Sequence, residues 1–271
     1  MAGTIWIPGA ERLHASAPGG TITSAAPPRV VWHTVEAPAG KDSTYQSMIN
    51  VLTGKSAEPN VLYDPITDRL GQFFGLNLSG RALKNDGATR TNRTGRVCIQ
   101  IEVMGYSAHP FTDTWTPGPN FRALMAAIRS WGIPDAWPSG NPPKYVDGRG
   151  NVPADERSRS IWLSRAGHYG HSQVPGNSHG DPGAINVAKL FAAAKTSSPV
   201  TKPPVTPTIP LEVLDMQLDD VVIAATPATA TTPAKPAVTV RAVFAEQHWL
   251  AQQFSQSGQF EAQLDRIEAK P

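Results

Sequence analysis

Three histidines and an aspartate fall within the seventeen residues Gly167–Gly183, while the other four histidines are scattered over a chain of 271 residues. His168, His171, His179 and Asp181 offer nitrogen and oxygen donors in a stretch broken by Gly and Pro. It reads as a loop leading into a helix that opens at Pro182. Such donors suit zinc, and a catalytic zinc site needs three protein ligands and one open position. A distant donor completes the set, because His33 ends the apolar run Val30-Val31-Trp32. Taken singly, His33 reads as a packed or hydrogen-bonded histidine, and GHS or DPG as an ordinary turn. Their combination points to metal chemistry. Glu102 adds a carboxylate within Val97–Val103, where Val97, Ile99, Ile101 and Val103 alternate onto one face and leave Gln100 and Glu102 on the other. Beside a metal that carboxylate is the expected general base for a bound water. Elsewhere it is a solvent-facing strand glutamate.

The elements that must position these residues are legible in outline. Val30–His33 reads as a buried strand, as do Val61–Tyr63 and Leu70–Phe74 around a turn at Asp64-Pro65. Tyr45–Leu52 reads as a helix ending near Gly54. Phe121, Leu124, Met125, Ile128 and Trp131 follow helical spacing until Gly132 and Pro134 stop them. The last helix runs from Pro182 through Ile185, Leu190 and Phe191. Strands separated by helices give an α/β class, with a mixed central β-sheet flanked by helices over residues 25–198. Residues 1–24 form an N-terminal extension, whose Trp6 and Pro8-Gly9 are free to pack back on that domain. Tyr45, Phe74, Trp115 and Trp162 are candidate groove walls, with the core as the competing place for each.

Proline marks where the domain ends. Five prolines between Pro199 and Pro210, then an Ala224–Pro236 stretch of nearly pure Ala, Thr and Pro, make residues 199–238 a linker. A short apolar piece, Leu211–Ile223, is embedded in it, and Met216 there could serve as an internal start. Residues 239–271 read as a C-terminal helix with a partial apolar stripe through Phe244, Leu250, Phe254, Phe260, Leu264 and Ile267. A helix docked on the main domain, a frayed tail, a self-associating helix and a wall- or partner-binding segment are its readings. The charge balance, 24 Lys and Arg against 22 Asp and Glu, is too even for a nucleic-acid binder. The one cysteine, Cys98, excludes a disulfide framework and a cysteine-based zinc finger. No apolar run approaches the roughly 18 residues of a membrane span. The opening MAGTIWIPGAERLHA lacks a charged start followed by an apolar core, so no secretory signal is expected and the cytoplasm is the expected place of synthesis.

With these residues in view, the sequence resembles the zinc-dependent type 2 N-acetylmuramoyl-L-alanine amidases, which share a fold with peptidoglycan recognition proteins. It is most similar in character to endolysins of phages that infect actinobacteria. The resemblance covers roughly residues 25–195 and rests on His33 in VVWHT, His171 in GHSQVP and Asp181 in GDPG. It implies that these three bind Zn2+, with the ten residues from His171 to Asp181 matching members that use Asp. It also implies that Glu102, in the IQIEV strand, faces the zinc as the general base. Many members carry an oxyanion-stabilising lysine two residues before the third ligand; here His179 stands there, able to act protonated or through one ring N–H. His168 competes for the second ligand place but lacks the spacing and the following Ser. Pro59-Asn60 departs from the family's frequent Tyr-His. The implied partner is bacterial peptidoglycan, with no nucleic acid and no membrane insertion. The implied activity is cleavage of the amide bond between N-acetylmuramic acid and L-alanine, causing host lysis. The alternatives are a non-catalytic peptidoglycan-binding protein of the same fold and a virion-associated wall-degrading component.

Overall fold

A computed structural model describes residues 3–22, 25–85, 90–145 and 157–194, all within one compact unit spanning 1–197. The elements, in chain order, are β1 (Glu11–Arg12), β2 (Arg29–Thr34), α1 (Asp42–Gly54), β3 (Val61–Asp64), β4 (Arg69–Gln72), β5 (Cys98–Val103), α2 (Pro119–Ser130), α3 (Arg159–Ser164), β6 (Gly167–Gly170) and α4 (Val187–Ala193). The strands form one six-stranded sheet in the order β1-β4-β3-β5-β2-β6. Only the β3–β4 pair in it is antiparallel, so the sheet is mixed, as expected. The central strands β2 and β5 are buried on both faces, which parallel strands covered by helices require.

Alternation along the strands sorts the core. Val30, Trp32, Val61, Tyr63, Ile99, Ile101 and Val103 face one way and pack with Phe121, Leu124, Met125 and Ile128 of α2 and Leu190 of α4. Leu62 faces the other way and packs with Tyr45, Ile49 and Leu52 of α1 and with Phe73, Phe74 and Met104. On that same second face Val31 and Cys98 meet Trp162 of α3, Tyr169 and Val174. Each such side chain removed from water contributes about 1.5–3 kcal/mol, so helices clamp the sheet from both sides. Tyr45, Phe74, Trp115 and Trp162 all belong to this core, none more than 6% exposed, and not to a groove wall.

Two local expectations are corrected. The stretch from Gly167 opens as strand β6, parallel to β2, and not as a loop. The last helix starts at Val187 and not at Pro182. Gly183 holds φ +71°, outside the helical region, and lies so close to the carbonyl of Ser107 that a Cβ would sit 2.1 Å from it. Asn186 then caps the helix by accepting the Lys189 N–H at 2.9 Å. The N-terminal residues join the sheet through β1. Ile7 enters the core, its N–H donating to Gln72, and the exposed Trp6 ring carries the Arg12 guanidinium 3.6 Å above it. Among the described residues no helix is long and apolar enough to cross a membrane. The linker, its embedded Leu211–Ile223 piece, Met216 and the C-terminal helix all lie outside the described residues.

Candidate metal centre

Register brings the first two functional side chains together. β2 and β5 are parallel neighbours with His33 opposite Glu102, one residue before each strand ends. Both side chains therefore rise on the same face at the carboxyl end of the sheet, where open α/β sheets bind ligands. The other donors arrive from the segment after β6. His171 opens a single 3-10 turn, His171–Gln173, and the Ser172 N–H donates to the carbonyl of Asp181 at 2.8 Å, folding the intervening loop back. Gln173 anchors that turn: its Oε1 accepts from the Gly170 N–H and from Trp137 Nε1, and its Nε2 donates to Gly140 O.

Three donor atoms converge. His33 Nδ1 lies 2.9 Å from His171 Nδ1 and 3.4 Å from Asp181 Oδ2, and His171 Nδ1 lies 3.3 Å from the same Oδ2. A tetrahedral zinc with bonds of about 2.0–2.1 Å spaces its ligand atoms about 3.3 Å apart, so this triangle fits one. All three side chains are buried, and their donor atoms lie within 4.8 Å of one another.

The hydrogen bonds around His171 also fix which of its nitrogens is free. Asn177 is held by backbone at both ends, accepting from Lys84 N and donating from Nδ2 to Lys84 O, each at 3.0 Å. Its Oδ1 therefore faces His171 Nε2 at 3.0 Å as an acceptor and holds a proton on that nitrogen. The Nδ1 lone pair of the neutral ring then points at His33 and Asp181. His33 Nε2 is buried with no hydrogen-bond partner among the described residues. The donor set thus suits a divalent zinc: two imidazole Nδ1 atoms and one carboxylate oxygen, with charge supplied by Asp181.

The electrostatics agree with that reading. Burial, then the neighbouring His171, pushes the His33 pKa down to about 4. Burial disfavours a proton on His171, but the charge and hydrogen bond of Asp181, with Asn177, outweigh it and raise its pKa. Burial would also raise Asp181, yet His171 and His33 hold its carboxyl well below the usual carboxylate range. A permanent anion facing two imidazoles attracts a cation of either kind, proton or metal.

The remaining expected residues sort into two groups. Glu102 is 9% exposed and not solvent-facing; its Oε1 lies 3.9 Å from His33 Nδ1, and its Oε2 has no hydrogen-bond partner among the described residues. Burial, then the charges of Asp181 and Glu36, raises its pKa well above the carboxylate range, the poise of a group that takes and returns protons. His179 stacks on His171 with ring centroids 4.8 Å apart, and its side chain is 70% exposed at the mouth. His168 is elsewhere. It is fully buried on the opposite face, stacked on Trp32, with the Trp32 Nε1–H donating to its Nδ1 at 2.9 Å. Asn60, where the resemblance leads one to expect another residue, splints the sheet: Oδ1 accepts from Gln100 N, and Nδ2 donates to Gly75 O and Leu78 O. Two contributors escaped sequence reasoning. Thr34 donates its N–H to Asp181 Oδ2 at 3.3 Å, and Asn177 orients His171.

No family model and no curated protein matches this sequence. Among solved structures the chain is similar to Staphylococcus aureus hydrolase AmiA in complex with its ligand, at 12% identity and a TM-score of 0.43, covering 70% of this chain and 82% of that one. It is also similar to a selenomethionine derivative of AmpD, at 13% identity and a TM-score of 0.41, covering 71% of this chain and 98% of that one.

Proposed function

We propose that this protein is a zinc-dependent N-acetylmuramoyl-L-alanine amidase, which hydrolyses the bond between the lactyl group of N-acetylmuramic acid and the stem peptide of bacterial peptidoglycan. One observation carries the reading. His33, His171 and Asp181 converge as a metal-fitting donor triangle, with the Glu102 carboxylate 3.9 Å from one of its corners, at the carboxyl end of the sheet. These are the four residues on which the resemblance to type 2 amidases places the zinc ligands and the base.

His33, His171 and Asp181 would hold a zinc ion, which would supply a Lewis acid able to polarise the carbonyl and acidify the attacking water. The chain's own residues do the rest. Glu102 takes the proton of the attacking water as its oxygen bonds to the lactyl carbonyl carbon. It returns that proton to the nitrogen of L-alanine as the carbon–nitrogen bond breaks, leaving a lactyl carboxylate and a free amine. His179, at the mouth beside His171, donates a ring N–H to the carbonyl oxygen as negative charge develops there, a contribution on the order of 3 kcal/mol. The similarity in character to actinobacteriophage endolysins supports host lysis as the setting.

The test is end-group analysis of purified peptidoglycan after digestion, with and without a zinc chelator. The expected result is new N-terminal L-alanine that disappears with chelator and returns with zinc. New reducing sugar ends, or other amino termini, would replace the amidase with a glycosidase or a peptidase. Binding to the wall with no new ends would make the chain a binding module.

A further inference from the structure

Glu36 lies three residues past His33, and the chemistry above does not use it. Its φ is +53°, in the left-handed region that a non-glycine residue enters at a cost and keeps only where its surroundings hold it. Backbone bonds on either side fix the chain there, Val35 N–H to Val103 O at 3.1 Å and Ala37 N–H to Gly105 O at 3.2 Å, and the side chain adds one oxygen. Glu36 Oε1 accepts from Thr34 Oγ1 at 2.7 Å, from the Ser107 N–H at 2.8 Å and from Ser107 Oγ at 2.5 Å. The two hydroxyls also touch each other at 2.8 Å, closing a triangle.

That triangle joins every chain segment that brings a donor to the site. Thr34 ends β2 directly after His33, and its N–H donates to Asp181 Oδ2. Ser107 follows β5, which carries Glu102. The carbonyl of Ser107 is packed against Gly183, two residues past Asp181, so tightly that no side chain fits between. A shift of Ser107 would therefore move the Asp181–Gly183 turn relative to β2. We infer that Glu36 is a positioning residue, whose Oε1 clamps Thr34 to Ser107 and so sets the placement of Asp181 against the His33 and Glu102 pair that the strand register already holds. With that backbone the carboxylate bridges Thr34 at the end of β2 and Ser107 beyond β5.

The inference rests on the amidase reading for its activity arm and on metal uptake alone for the other. Three variants separate the clamp from mere stability. Glu36→Ala removes the acceptor and keeps the strain. Glu36→Gly removes the acceptor and relieves the strain. Glu36→Gln keeps an acceptor oxygen and loses the charge. Each is titrated with Co2+, followed by its absorption spectrum, assayed for kcat and KM on muramoyl peptide, and melted thermally. The expected result is that the Ala and Gly variants bind Co2+ several-fold more weakly and lose roughly 10- to 100-fold in kcat, with KM within about twofold. The Gly variant should have the higher Tm of those two, and Gln should restore both Co2+ affinity and kcat. A structural role alone would make kcat follow Tm. The clamp is overturned if Ala and Gly match the wild type in Co2+ affinity and in kcat per folded molecule, or if Gln is as impaired as Ala. A wild-type chain that takes up Co2+ yet frees no L-alanine defeats the amidase reading, and the Co2+ titrations then decide the clamp alone. A wild-type chain that takes up no Co2+ leaves nothing to position and overturns it too.

Discussion

Two pairs of rings lie back to back across the central sheet. Trp32 and His168 sit on one face; His33 and His171, one and three residues further along the chain, sit on the other. Both pairs are buried, and both join β2 to the β6 segment, yet their surroundings are opposite. His168 is walled by Trp32, Trp137 and Phe191 and its ring accepts from an indole N–H, and burial drives its pKa down to about 3. His171 meets a carboxylate and an amide oxygen, and its pKa rises. Burial alone does not make a histidine functional; convergence of its nitrogen with other donors does.

The largest effects should come from breaking that contrast outright. His171→Ala should abolish tight metal uptake and cut amide cleavage by roughly 10^3-fold or more, the equivalent of several kcal/mol. His168→Ala should leave one metal per chain and instead destabilise the fold by about 2–4 kcal/mol, through a cavity and an indole N–H left unpaired. Metal analysis and denaturant melts on the two variants test both halves. Equal metal loss in the two would erase the distinction. Next in size, Glu102→Gln should lower kcat by roughly 10^2- to 10^4-fold, the range of a general base, while the metal content stays the same. Metal lost in parallel with kcat would make Glu102 a ligand instead. Smaller again, Asn177→Ala should weaken metal affinity about 10- to 100-fold by freeing the His171 ring to change tautomer. A competition titration against a chelator reads this directly, and an unchanged affinity would leave Asn177 as a loop anchor only.

How much of this the sequence disclosed follows from the range of each interaction. Glu102 was legible because strand alternation fixes which way a side chain points once its strand is identified, and His33 because it is a donor at the end of an apolar strand. His171 and Asp181 were marked by the resemblance, through GHSQVP, GDPG and the ten residues between them, and the Ser172–Asp181 backbone bond is what folds that loop back. Asn177 and Glu36 gave no such signal. Their roles depend on Lys84 and Ser107, distant in the chain, and an asparagine in a Gly-rich turn or a glutamate after a strand reads as surface. The start of α4 was misplaced for a similar reason. Pro182 carries a helix-opening preference, but the packing of Gly183 on Ser107 and the Asn186 cap override it.

Titration isolates the His168 side of the contrast. With a folded pKa of about 3 against about 6.5 unfolded, His168 binds fewer protons in the native state throughout that window. Stability rises with pH wherever the unfolded chain holds more protons. The contribution is therefore complete above pH 6.5 and is lost progressively as pH falls toward 3, by up to a few kcal/mol. His33, lowered to about 4, adds a loss of the same sign, and His171, raised, opposes it, so the wild-type curve alone mixes three histidines. His168→Gln separates them, since it keeps an acceptor for Trp32 Nε1 and does not titrate. Urea melts of both proteins at pH 7, 6, 5 and 4 should show the wild type losing more stability than the variant over the acid range. Parallel curves would mean that His168 already accepts a proton in the folded state, and that the apolar side of the sheet is less sealed than its aromatic walls imply.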